Sequence, residues 1–163
     1  MTFTEYLKSI NACSNAIEWA ANKTVEEVVA TCHRGDWLLW LASKCDIGLQ
    51  PLTLAKAHCA NTVRHLMDDD RSLKAVDTAI AFGEGTATRE QLDAAAAAAY
   101  VAADVAAAAN AAFAAAFAAA FAAAFAAAFA AAAAIENRLQ TADICRQYIG
   151  DLIIQKVNSI INP

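Results

Sequence analysis

Apolar positions along the chain recur at helical rather than strand spacing, and interruptions in that recurrence mark the ends of helices. From Phe3 to about Ala21, the positions Tyr6, Ile10, Cys13, Ile17 and Trp19 or Ala20 fall near one face, which predicts a first helix. Asn22 and Lys23 interrupt it. Thr24-Val25-Glu26-Glu27 then fits a capping box, in which each of Thr24 and Glu27 accepts a hydrogen bond from the other's backbone amide. A second helix is therefore expected from about Val25 to Cys32 or His33. Gly35 is placed to end it, and Asp36 to cap a third helix carrying Trp37, Leu38, Trp40, Leu41 and Cys45. Gly48 and Pro51 mark the next turn.

Leu54, Ala57 or His58, Val63 and Leu66 predict a fourth helix within Leu52 to Met67. One of Asp68, Asp69 and Asp70 is expected to cap a fifth, which carries Leu73, Val76, Ile80 and Phe82 and stops at Gly83-Glu84-Gly85. Thr88-Arg89-Glu90-Gln91 is a second capping-box candidate. It opens a segment in which thirty-one of the forty-one residues from 94 to 134 are Ala, with no Gly or Pro, so one long helix is expected. Phe113, Phe117, Phe121, Phe125 and Phe129 recur every four residues, a step that advances each ring about 40° around a helix. That drift suits a central helix touched on several sides and is a poor match to a heptad coiled coil. The four-residue unit is also far too short for a solenoid repeat.

Beyond it, Ala142 to Ile149 is helical in pattern, and Gly150 is expected to divide it from a tail, Asp151 to Pro163. Ile153, Val157, Ile160 and Ile161 share one face of that tail. No stretch alternates as a strand does. The expected architecture is all-α: a single-domain bundle of about six to seven helices around the Ala/Phe helix, with a helical domain over 1–150 and a helical extension over 151–163.

Composition narrows the function classes. A chain of 163 residues suits one domain with a real core, and a net charge of −5 with pI near 5.1 argues against a general nucleic-acid binder. The start MTFTEYLKSINACSN lacks the basic and apolar regions of a signal peptide. Five cysteines without paired spacing suggest reduced thiols and a cytoplasmic setting. Ala111 to Ile135 has the length to cross a bilayer. Ala contributes little apolar surface, however, and five Phe at about −0.3 to −0.6 kcal/mol each give only marginal insertion. A buried Ala-rich helix is the preferred reading, with no membrane partner.

Chemistry-bearing residues are few. Cys32-His33 and His58-Cys59, with His65 nearby, are ligand types for zinc, yet adjacent helical residues diverge by about 100° and the usual ligand spacings are missing. The cysteines read better as small buried apolar groups. No nucleophile elbow or phosphate-binding Gly loop is present, so no catalytic residue, metal or cofactor is expected. The least generic segment is Arg34-Gly35-Asp36-Trp37-Leu38-Leu39-Trp40. Trp37 and Trp40 share a helix face and are suited to sandwich a planar ligand or anchor a partner helix; two core indoles is the plainer alternative. Arg34, Arg64, His65 and Arg71 fall near helix ends and are candidates to gather around an anion, with Asp36 and Asp70 beside them.

The run Cys32-x-x-x-Asp36-Trp37-Leu38-Leu39-Trp40-Leu41, followed by Leu54-Ala55-Lys56-Ala57-His58-Cys59-Ala60, resembles a family of immunity proteins from bacterial toxin-immunity systems, with an immunity-protein-five-like helical domain. Asp70-Arg71-x-Leu73-x-Ala75, Ala79, the Gly83 to Gly85 stop, an Ala block punctuated by aromatics, and Gln140-x-Ala142-Asp143-Ile144-x-Arg146 extend the likeness over about residues 13 to 150. Two departures stand out: Phe where relatives carry Trp in the Ala block, and a tail that runs past the usual end. The resemblance implies a compact helical domain without catalytic activity, encoded in bacteria or phages, that neutralises a protein toxin in the cytoplasm. The alternative is a phage or bacterial anti-defence protein that sequesters a small, anionic, nucleotide-like immune signal. The tail 151–163 is a candidate homo-oligomer contact.

Overall fold

The computed structural model of the chain describes residues 1–67, 69–107 and 133–162, which are all-α and contain no strand. Helix α1 runs over Phe3–Ser9 and α2 over Ser14–Trp19. The single first helix expected from Phe3 to Ala21 is thus two. The reason is local: Asn11 takes a left-handed backbone conformation at φ 59°, which an Asn tolerates and a continuing helix does not. Asn22 (φ 62°) and Asp46 (φ 54°) likewise follow the ends of α2 and of α4, which spans Gly35–Lys44.

The capping box at Thr24 and Glu27 is present and opens α3, Val25–Thr31. Gly35 does not end α3, and Asp36 does not cap α4. Cys32 is the C-cap of α3, Gly35 is the first residue of α4, and Arg34 holds the N-cap position without a side-chain capping bond to the helix amides. Glycine is required there by packing, because a Cβ on it would lie 2.6 Å from the backbone carbon of Thr141.

Helix α5, Leu49–Asn61, starts earlier than expected, because Pro51 falls in its first turn, where a missing N–H costs nothing. It also ends earlier, at Asn61, and a 3₁₀ turn at Arg64–Leu66 follows. Asp69 caps α6, Asp70–Gly83, accepting from the amides of Arg71 at 2.8 Å and Ser72 at 3.3 Å. The end of α6 is a Schellman motif: the amide of Thr86 reaches the Ala81 carbonyl at 2.8 Å, that of Gly85 reaches Phe82 at 3.1 Å, and Gly85 supplies φ 78°. Thr88 and Gln91 exchange hydrogen bonds at 2.7 and 3.3 Å to open α7, Arg89–Ala107. The five Phe and most of the Ala-rich helix expected over 94–134 lie outside the described residues.

Helix α8 spans Ala133–Cys145 and continues through a π-helical turn, Arg146–Gly150, into α9, Asp151–Ile161. Gly150 therefore does not divide the chain. Its backbone is helical (φ −57°, ψ −54°), and a Cβ there would stand 3.2 Å from Val29. The tail is part of the core: Ile153 and Val157 are fully buried with Ile149 and Leu38, while Ile160 faces outward.

The main core gathers α1, α3, α4, one side of α5, α8 through Ala142 and Cys145, the π turn and α9. A smaller cluster of Ala57, Ala79, Phe82 and Leu92 packs α6 and α7 onto the other side of α5. The buried positions of α5 are Ala55, Ala57, Cys59 and Ala60, small enough for helices to approach closely on both sides.

Candidate functional site

Close packing of Gly35 on Thr141 and of Cys145 beneath it seats the start of α4 firmly on α8, the Cys145 thiol donating to the Gly35 carbonyl at 3.5 Å. With that face of α4 committed to the core through Leu38, Leu39 and Ala42, the indoles of Trp37 and Trp40 turn toward α1 and α2. The result is a cleft of about 410 Å³, walled by Phe3, Leu7, Trp19, Trp37 and Trp40 and with Asp36 as its charged group. Its size falls in the range of small-molecule sites.

The aromatic wall is held from behind. Trp19 and Trp37 have ring centroids 5.9 Å apart, and His33 meets the edge of Trp19 at 5.8 Å. Each indole carries one cation: Lys23 at 4.3 Å from the Trp19 ring, Arg34 at 4.7 Å from Trp37, and Lys44 at 5.8 Å from Trp40. Lys23 also donates to the Trp19 carbonyl. Arg34 forks onto Asp36, Nε to Oδ1 at 2.9 Å and Nη2 to Oδ2 at 2.5 Å. That hydrogen bonding holds the guanidinium pKa above its ordinary value.

Four of the residues singled out from sequence meet here: Arg34, Asp36, Trp37 and Trp40. The indoles are half-buried rather than core. The other four stand apart, at the junction of α5 and α6. Arg64 pairs with Asp77 at 2.5 Å and lowers that carboxyl's pKa, Arg71 pairs with Asp69 at 2.9 Å, and Asp70 and His65 are exposed. The arginines therefore do not converge on one anion. Sequence reasoning missed Trp19, His33 and Cys13, which a separate helix and two loops bring to the same wall; no spacing along the chain signals their meeting.

The dipeptides considered as zinc ligands are turned to other partners. His58 stacks flat on Tyr148 at 4.5 Å, and Cys59 faces Cys145 with sulfurs 4.0 Å apart. The bond with Cys59, together with burial, pushes the Cys145 thiol pKa up. Burial does the same to Cys32 and Cys45. These thiols are free and act as small, weakly hydrogen-bonding packing groups.

No family model, curated protein or solved structure matches the chain. Among the described residues, no helix is long and apolar enough to cross a membrane.

Proposed function

We propose that the protein neutralises an effector by binding it, without turnover, and that the Trp-walled cleft is where it binds. The observation that carries this reading is the cleft itself: three indoles from two helices, each braced by a cation, around a concavity of about 410 Å³. Rings fixed in advance cost little ordering on binding, and their flat faces suit a planar ligand. The effector on this reading is a small molecule with a planar ring, such as a nucleotide-like immune signal, whose anionic part stays outside the cleft. Five free thiols fit a reducing cytoplasm, in a bacterium or a phage-infected cell.

Native mass spectrometry of protein purified from cells, compared with its denatured mass, tests this directly. A reproducible noncovalent adduct lost on Trp37→Ala is the expected result; an adduct that survives that change places the ligand elsewhere.

A second reading, that the effector is a protein toxin, draws on the sequence resemblance and on the net charge of −5, which complements a basic partner. Co-purification with the product of a neighbouring gene, insensitive to cleft substitutions, would favour it. Self-association through 151–163 would use the outward side of α9 at Ile160, since Ile153 and Val157 are taken by the core.

A further inference from the structure

We infer that the cleft selects planar rings bearing an amino group, with Asp36 receiving the amino donor; this rests on the cleft being the binding site. Asp36 is the charged side chain in the lining, about a quarter exposed, and its carboxylate is already aligned by Arg34. A carboxylate offers about four acceptor positions, and the bidentate fork uses one on each oxygen, leaving one on each for a ligand. The positive charges nearby are spent on other surfaces. Lys23, Arg34 and Lys44 each cover an indole, and none of the three lines the cleft. The Arg34–Asp36 pair is thus a dipole with its acid end in the lining, in a setting whose apolar walls strengthen short-range electrostatics.

A ligand lying on Trp37 or Trp40 gains stacking, and its amino group gains a charge-assisted hydrogen bond. An acidic group at the same place meets the negative end of the dipole and is repelled by it. Asn11, which also lines the cleft, is polar but uncharged and does not reverse this sign.

The test uses the full chain and two probes on one ring, tryptamine and indole-3-propionate, by titration calorimetry, with labelling of the exposed thiol Cys13 as a second readout, since Cys13 lines the cleft. Tryptamine is expected to bind at least about tenfold more tightly, a difference of about 1.4 kcal/mol. It is also expected to slow Cys13 labelling. Asp36→Asn should shrink the preference to less than about threefold, and Arg34→Met, which leaves the carboxylate unopposed, should widen it. Equal binding, tighter binding of the propionate, or a preference untouched by both variants overturns the inference while leaving the cleft a binding site. If neither probe binds or protects Cys13 at millimolar concentration, the inference falls and the small-ligand reading falls with it.

Discussion

Gly35 lies against Thr141 so closely that a Cβ on it would stand 2.6 Å from both the Thr141 carbonyl carbon and Oγ1. Real Cβ atoms do not approach backbone at that distance, so Gly35→Ala must move α4 off α8. The helix gains little in return, because Gly35 is its first residue. Overpacking of this kind costs about 1–3 kcal/mol, and urea unfolding should show a lowered midpoint with an unchanged slope. On the proposed binding role of the cleft, the same shift should also weaken binding there, since Trp37 and Trp40 ride on α4.

Arg146 closes the end of α3. Its Nη1 donates to the Cys32 carbonyl at 2.7 Å and to the Val29 carbonyl at 3.4 Å, two acceptors that the helix cannot satisfy itself. Arg146→Met keeps much of the side-chain length and removes the donors. A loss of about 1.5–3 kcal/mol is expected from hydrogen bonds to a charged group. An unchanged unfolding midpoint would mean that water replaces the guanidinium at no cost.

Alkaline pH should unfold the protein cooperatively. Tyr6, Cys32 and Cys45 are raised by burial and Cys145 chiefly by its bond with Cys59. A raised folded-state pKa means that the fold retains protons the unfolded chain releases. The contribution is complete below the unfolded thiol value, about 8.5, and is lost as pH rises above it. Each thiol that stays protonated in the fold then costs about 1.4 kcal/mol per pH unit. Equilibrium unfolding at pH 7.5 and pH 10 measures this, and Cys145→Ala should flatten the slope.

Thiol accessibility gives a direct check on the packing. Cys13 is exposed, whereas Cys32, Cys45, Cys59 and Cys145 are buried. A thiol reagent should modify one cysteine rapidly in the native protein and the other four only as fast as the fold opens. Rapid reaction of Cys59 or Cys145 would show that α5 and α8 are less tightly packed than their 4.0 Å sulfur contact implies.

Sequence and structure agree most closely where the determining bonds are local. The capping boxes at Thr24–Glu27 and Thr88–Gln91 join residues three apart, so the residue types nearly suffice to specify them. The all-α class and the stop at Gly83 to Gly85 belong to the same level, because helical periodicity and a left-handed glycine express the chain's own backbone preferences. Gly35 and Gly150 show the limit of that logic. A glycine read along the chain signals a break, yet at both positions it sits inside helix and serves a close approach, to Thr141 and to Val29.

The sequence by itself determined the bounds of α3 and α6 and the start of α7, and it pointed to Arg34, Asp36, Trp37 and Trp40 because one short segment of the chain holds them together. Only the tertiary structure decided that Trp19 and His33 join them, that Arg64 and Arg71 do not, and that α9 completes the core instead of extending from it. The physical reason is that hydrogen bonds between near neighbours are fixed by residue type and spacing, whereas burial is a property of the whole packing arrangement and has no counterpart in any one segment.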